Sequence, residues 1–373
     1  MPDAEAHRTG QVLNAVLLWA ALMAAGPTAA ATLIGETVSV LPEPVSNNAV
    51  ALGMAEGRLV IVSLMGLGPD KSQRDVHARV FARSPASPDW STLPPVPGPG
   101  RLAGTAVQLG GNIVVIGGYT VAEDGSETSV ARVQRLDLVR GDYTDLAPMP
   151  VPVDDTVALV YEDRYIYLVS GWHDHGNVNL VQIYDAGSDD WHQATPFPGR
   201  PVFGHAGGIL GRTVVICDGV AVRTYADRPR AFEAEPACFV GTIDADDPRR
   251  IEWRRLPHHG GAGLYRAAAT GSLRHGAIVF AGGSDNPYNF DGIGYDGRPS
   301  APSARVFGYR VYDGRWLELG QLSVPTMDHR GLVEIGDDFY LIGGMREHQQ
   351  VSDQVLRFRL PSTPQSGQQS AEP

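Results

Sequence analysis

The chain has 373 residues, of which 43% are apolar, 8% aromatic and 19% charged, enough apolar material for a large folded core. Its net charge of −12 repels polyanions, which excludes nucleic acid as a partner.

The first segment reads as an address rather than a fold element. His7 and Arg8 precede the apolar run Val12 to Ala25, and Ala29, Ala30 and Ala31 supply small residues for cleavage. That order predicts a secretory signal peptide over residues 1–31, hence a periplasmic or secreted protein with no membrane attachment after cleavage. The apolar run is too short to span a bilayer.

Six apolar strands then run into tight glycine turns: LVIVSLMG at Gly66, NIVVIGG at Gly118, YIYLVSG at Gly171, TVVICDG at Gly219, GAIVFAGG at Gly283 and FYLIGG at Gly344. The intervals run from 48 to 64 residues. A strand–glycine signature near that period predicts a kelch-type β-propeller, all-β, over residues 32–361. Each repeat should end in a strand with an aromatic residue and a Leu- and Pro-containing stop. Trp90, Tyr143, Trp191, Trp253 and Trp316 mark those ends and should pack between blades. The sixth repeat has no such ending. Thr37 to Pro44, TVSVLPEP, carries it instead, so an N-terminal strand should complete the last of six blades and remove a free sheet edge. Deleting residues 35–44 should therefore unfold the ring. Cys217 and Cys238 fall in the fourth repeat, which leaves a disulfide and two buried thiols equally open. Residues 362–373 lack apolar periodicity and read as a disordered tail.

Polar residues gather where each blade begins: Asn47 and Asn48, Arg101, Asp154 and Asp155, His205, Arg266, and His329 with Arg330. Singly, each can bridge neighbouring blades; together they suggest a polar pocket on the axis. A second group follows the glycine turns: His173, Asp174 and His175, Asp218, then Arg346 and His348. His173 and His175 share a strand face, but spacing fixes no third ligand beside them, so no metal and no cofactor are expected. The fifth repeat carries a long insertion, GGSDNPYNFDGIGYDGRPSAPSARVFGY. Its Asn286, Asn289, Tyr295, Asp296 and Arg298 suit a sugar, since rings stack on C–H faces while amides and charged groups bond hydroxyls. A long loop within a compact repeat is more often functional than filler.

With this insertion the chain resembles exported kelch propellers of the N-acetylneuraminate epimerase type, the cyclically permuted mutarotase group, over residues 35–360. The resemblance implies an isomerase acting on the anomeric centre of a free sugar or sugar acid. Ring opening needs a base at the anomeric hydroxyl and an acid at the ring oxygen. Asp296, His205 and His329 are the candidates for those roles, with Asp218 a further one. Arg266, Arg330 and Arg346 are candidates for the substrate carboxylate, and Asn286, Asn289, Tyr295 and Arg298 for the sugar. Arg266→Ala is then expected to cost affinity and little stability. The family insertion carries a glutamate as its base; here Tyr295-Asp-Gly-Arg-Pro has none. The alternative function is a non-catalytic kelch module that binds a glycan or a protein through the same loops. Copper chemistry of the galactose-oxidase kind, also built on kelch blades, would need a cysteine beside a tyrosine and several metal ligands. With Cys217 in an apolar strand and Cys238 apart from any histidine cluster, it is not expected.

Overall fold

The computed structural model describes residues 32–33 and 35–361. The expected signal peptide, and the expected tail over residues 362–373, lie outside the described residues. Among the described residues, regular structure is strand apart from two short 3-10 turns, Gln73–Asp75 and Glu347–Gln349, and no helix is long and apolar enough to cross a membrane.

Six antiparallel sheets form the blades of a propeller. Their innermost strands are Ala49–Ala55, Thr105–Leu109, Val157–Tyr161, Ala206–Leu210, Ala268–Ser272 and Val333–Ile335. The second strands, such as Asn112–Ile116 and Ala277–Ala281, are buried almost throughout because a neighbouring blade covers each of their faces. That is why they read as continuous apolar runs rather than alternating ones.

Blade six is completed by Glu36–Val40, which pairs antiparallel with Gln354–Arg359, as the TVSVLPEP segment predicts. Sequence reading missed a second use of this segment. Thr32–Leu33 adds a fifth, parallel strand to blade five along Gln321 and Leu322.

The outer aromatics of blades one to five tie each of those blades to the chain leaving the one before. Trp191 Nε1 donates to Ala147 O at 2.7 Å, Trp316 Nε1 to Pro257 O at 2.8 Å, and Tyr143 Oη to Pro94 O at 3.0 Å. Trp90 Nε1 donates to Ser39 Oγ of the closing strand at 2.8 Å, so the pattern runs across the seam.

The glycine turns are required where the chain leading into the innermost strand of the same blade passes close by. Gly118 has φ +88°, and a Cβ there would lie 2.6 Å from Leu102 O. At Gly344, φ +85°, it would lie 2.6 Å from Met327 O.

Candidate functional site

One residue at the start of each blade adopts a left-handed backbone: Asn47, Ala103, Asp155, Gly204, Arg266 and Asp328, with φ between 49° and 66°. Five of the six are not glycine, and each such residue costs about 1–3 kcal/mol unless its surroundings hold it. A ring of backbone hydrogen bonds does so. Asp155 N donates to Ala103 O at 3.0 Å, Gly204 N to Asp155 O at 2.9 Å, and Arg266 N to Gly204 O at 2.8 Å. His329 N donates to Arg266 O at 3.1 Å and Asn47 N to Asp328 O at 3.4 Å.

Inside that ring lies a buried ionic knot. Arg266, 1% exposed, forks onto Asp155 (Nη2 to Oδ2 2.7 Å, Nε to Oδ1 3.2 Å) and reaches Asp328 Oδ1 at 3.1 Å. Arg330 also pairs with Asp155, and Asn47 Nδ2 donates to Asp328 Oδ1 at 3.2 Å. Two carboxylates and two guanidiniums from blades three, five and six thus neutralise one another. The blade-start charges bridge blades here, and Arg266 has no free fork to offer a substrate carboxylate. This corrects the expectation that Arg266→Ala would spare stability.

The ring separates two regions. On one side the axial channel opens as a cavity of about 390 Å³, lined by the inner strands and by His205, His329, Arg330 and Glu334. His205 Nε2 lies 2.8 Å from Val169 O, and burial depresses its pKa to about 4. His329 Nε2 lies 2.8 Å from Thr326 Oγ1, and burial, then Arg346 and Arg330, depress its pKa to about 3. Both rings are neutral at physiological pH. Arg346 is half-buried on the blade-six hairpin and donates to Gln354 Oε1 at 3.1 Å.

On the other side the second-to-third-strand hairpins lean together, and the blade-five insertion lies across them. Lys71 Nζ of blade one donates to Asp291 O at 2.8 Å, and Gln349 Nε2 of blade six to Ser300 O at 2.9 Å. Within the insertion, Asp296 accepts from Asn286 Nδ2 at 2.9 Å and from Arg298 Nε at 2.6 Å. Those bonds, Asn286 first, hold Asp296 ionised down to about 2. Asp296, Asn286 and Arg298 therefore lock a turn, which suits them poorly to proton transfer. The structure does not bring Asp296 together with His205 and His329.

Asn289 is the residue the geometry gathers others around. Its Oδ1 accepts from Tyr119 Oη at 3.3 Å, its Nδ2 donates to Glu127 Oε1 at 2.8 Å, and its O accepts from Arg266 Nη1 at 2.7 Å. Glu127 stands on an exposed hairpin strand, and partial desolvation of its carboxyl raises its pKa above the ordinary carboxylate value while the bond from Asn289 works against that rise. Burial pushes the Tyr119 phenol up as well, so it stays protonated. Beside them, Tyr295 stacks on Phe232 with centroids 4.3 Å apart, and the Arg230 guanidinium lies over Phe232 and Trp172. Sequence reading missed Glu127, Tyr119 and Phe232. The available signal was positional: all three follow a glycine turn, as the insertion does.

The cysteines are joined. Cys217 and Cys238 face one another on adjacent strands of blade four. Contrary to the sequence expectation, Cys238 does lie beside a histidine cluster, with His258, His259 and Asp218.

No protein-family model matches the chain. It is 26% identical over 203 residues to the Kelch-like protein terF of Aspergillus terreus, covering 49% of this chain and 42% of that protein. It is 27% identical over 169 residues to human Kelch-like protein 33, covering 43% and 31%. A putative F-box/kelch-repeat protein of Arabidopsis thaliana is 31% identical over 137 residues, covering 35% and 38%. The chain thus spans less than half the length of these relatives. The solved structure of YjhT superposes with a TM-score of 0.67 at 17% identity, over 86% of this chain and 97% of that one. The chain is a six-bladed kelch propeller. At that identity the likeness to YjhT speaks for the kelch propeller's fold alone.

Proposed function

We propose that this kelch propeller acts on the anomeric centre of a reducing sugar or sugar acid, on the face covered by the blade-five insertion. The observation that carries the reading is the Glu127–Asn289–Tyr119 cluster. The insertion lacks a glutamate, and blade two delivers one to it. Glu127, with its raised pKa, is a stronger base than an ordinary carboxylate and suits removal of the anomeric hydroxyl proton. Tyr119, kept protonated, suits donation to the ring oxygen. The ring then opens to a carbonyl and recloses on either face. Tyr295 on Phe232 offers an aromatic platform for sugar C–H groups, and Arg230 a cation for a carboxylate. No cofactor enters these steps. The Cys217–Cys238 bond supports an oxidising compartment, and the reading includes export to the periplasm or beyond.

The test is anomeric exchange by NMR on N-acetylneuraminate and a panel of reducing sugars and sugar acids. Faster α/β interconversion, lost in Glu127→Gln with binding retained, is the expected result. Uncatalysed rates across the panel would sink it. They would favour the second reading, a non-catalytic module for a glycan or protein partner. Supporting that alternative, Asp296, Arg298 and Asn286 are spent on one another while Tyr295 remains 41% exposed.

A further inference from the structure

Blade four carries a second cluster, which the sugar reading does not use. Asp218 follows Cys217 at the end of the second strand, Cys238 begins the third, and His258 and His259 follow the fourth. Asp218 Oδ1 faces His258 Nε2 and Oδ2 faces His259 Nε2, each at 2.8 Å, and Leu264 N donates to Oδ2 at 3.0 Å. One donor atom each from Asp218, Cys238, His258 and His259 lies within 4.8 Å of the others. Among the described residues, no other group of three or more such side chains converges in this way.

Two imidazoles, a carboxylate and a sulfur are the donors of four-coordinate zinc. Zinc holds them at about 2.0–2.3 Å, so donors around it sit about 3.3–3.8 Å apart: the widest spacing here, up to 4.8 Å, has to contract by about 1 Å, and the two 2.8 Å contacts of Asp218 with the imidazoles have to open by about 0.5–1 Å. The outer nitrogen of His259, Nδ1, lies 2.8 Å from Gly260 O, the kind of second contact that orients a metal-bound imidazole. Arg305 Nη1 lies 2.7 Å from the same nitrogen and from the same carbonyl, and would have to keep only the carbonyl. Its charge is already met by Glu318. His258 is the entry, with its side chain 21% exposed against 3% for Asp218 and none for His259. What withholds the fourth donor is the bond from Cys238 to Cys217, since a disulfide sulfur has no thiolate charge to give.

We propose that this cluster is a zinc site gated by the disulfide. A dithiol reductant gives the Cys217–Cys238 bond two electrons and two protons and leaves as its own disulfide. Cys238 then loses its thiol proton to solvent as its sulfur joins Asp218, His258 and His259 around Zn²⁺. Cys217 remains a thiol on the neighbouring strand. The oxidised protein, left with three donors and no thiolate, binds zinc weakly.

The test is a Zn²⁺ titration against a chromophoric chelator. It compares the oxidised protein, the protein reduced with dithiol and desalted under nitrogen, and Cys217→Ser, whose Cys238 is a free thiol without any reductant. The reduced protein and Cys217→Ser should each bind one zinc about 100-fold more tightly than the oxidised protein. Co²⁺ in place of zinc should give a thiolate-to-cobalt charge-transfer band in both, absent from the oxidised protein and from Cys238→Ser. Adding His258→Ala to Cys217→Ser should weaken zinc at least about tenfold. Near-ultraviolet circular dichroism reports folding, and the reduced wild type serves if Cys217→Ser does not fold. Folded protein with a free Cys238 that binds zinc no better than the oxidised form overturns the proposal. So does a missing cobalt band, or an affinity indifferent to His258. A reduced protein that loses its near-ultraviolet signal overturns it too, because no folded site would then hold the sulfur.

Discussion

Glu127 and Asn289 stand 162 residues apart in sequence and 2.8 Å apart in space, the carboxylate of blade two accepting from the amide of the blade-five insertion. Partial desolvation raises the Glu127 pKa and this bond lowers it. Removing the amide should therefore move the pKa further up. A base works in its deprotonated form, so the acid limb of the pH–rate profile in Asn289→Ala should shift to higher pH. Activity near pH 5 should fall more than activity near pH 8. An unshifted limb would separate Glu127 from the chemistry.

Arg266→Met should destabilise the propeller by about 3–5 kcal/mol, because it leaves buried Asp328 with only the Asn47 amide and Asp155 with Arg330 as its one remaining cation. Urea unfolding measures this directly. A variant as stable as its parent would show that the ionic knot contributes nothing net.

His205 and His329 make stability depend on pH. Their folded pKa values, about 4 and about 3, lie below the unfolded value of 6.5. Between those values the unfolded chain binds the extra proton. Stability is therefore full above pH 6.5 and falls as pH drops toward 4, by up to about 1.4 kcal/mol per pH unit for each histidine. His329→Gln should flatten that decline when unfolding midpoints are compared between pH 7 and pH 4.5. An equal slope in variant and parent would count against a neutral, buried His329.

Deleting residues 35–44 should abolish the single cooperative melt. The deletion removes the outer strand of blade six and also Leu41, which is buried between blades six and one. A deletion variant that melts like its parent would mean that the other blades hold the ring alone.

The fold was legible because its causes are local. Gly118 and Gly344 sit where a Cβ would strike the chain leading into the innermost strand, and such a need leaves a mark at every period. The outer Trp positions recur for the same reason. The strand Glu36–Val40 was legible because it fills a vacancy in a repeat. Thr32–Leu33 was not, since two residues in parallel pairing carry no period. The site was less legible because its contacts join different blades. Asp155 meets Arg266 at 111 residues' separation, and nothing in the spacing says whether two blade-start charges face each other or a ligand. Asp296 and Arg298 read as free chemistry because sequence shows residue types and not their partners. Glu127 was passed over because it sits in a hairpin that only the folded ring leans toward the insertion.

The closing strand also sets an order of events. Glu36–Val40 is synthesised more than 300 residues before Gln354–Arg359, the partner it pairs with. The ring cannot close until blade six exists, so this strand waits for nearly the whole propeller to be made before it finds its place. Throughout that wait this strand is unpaired, and once blade six forms its outer edge is open too, so a second molecule could supply the missing strand as readily as the chain's own. The seam that completes blade six is thus the place where two growing copies are most apt to exchange ends.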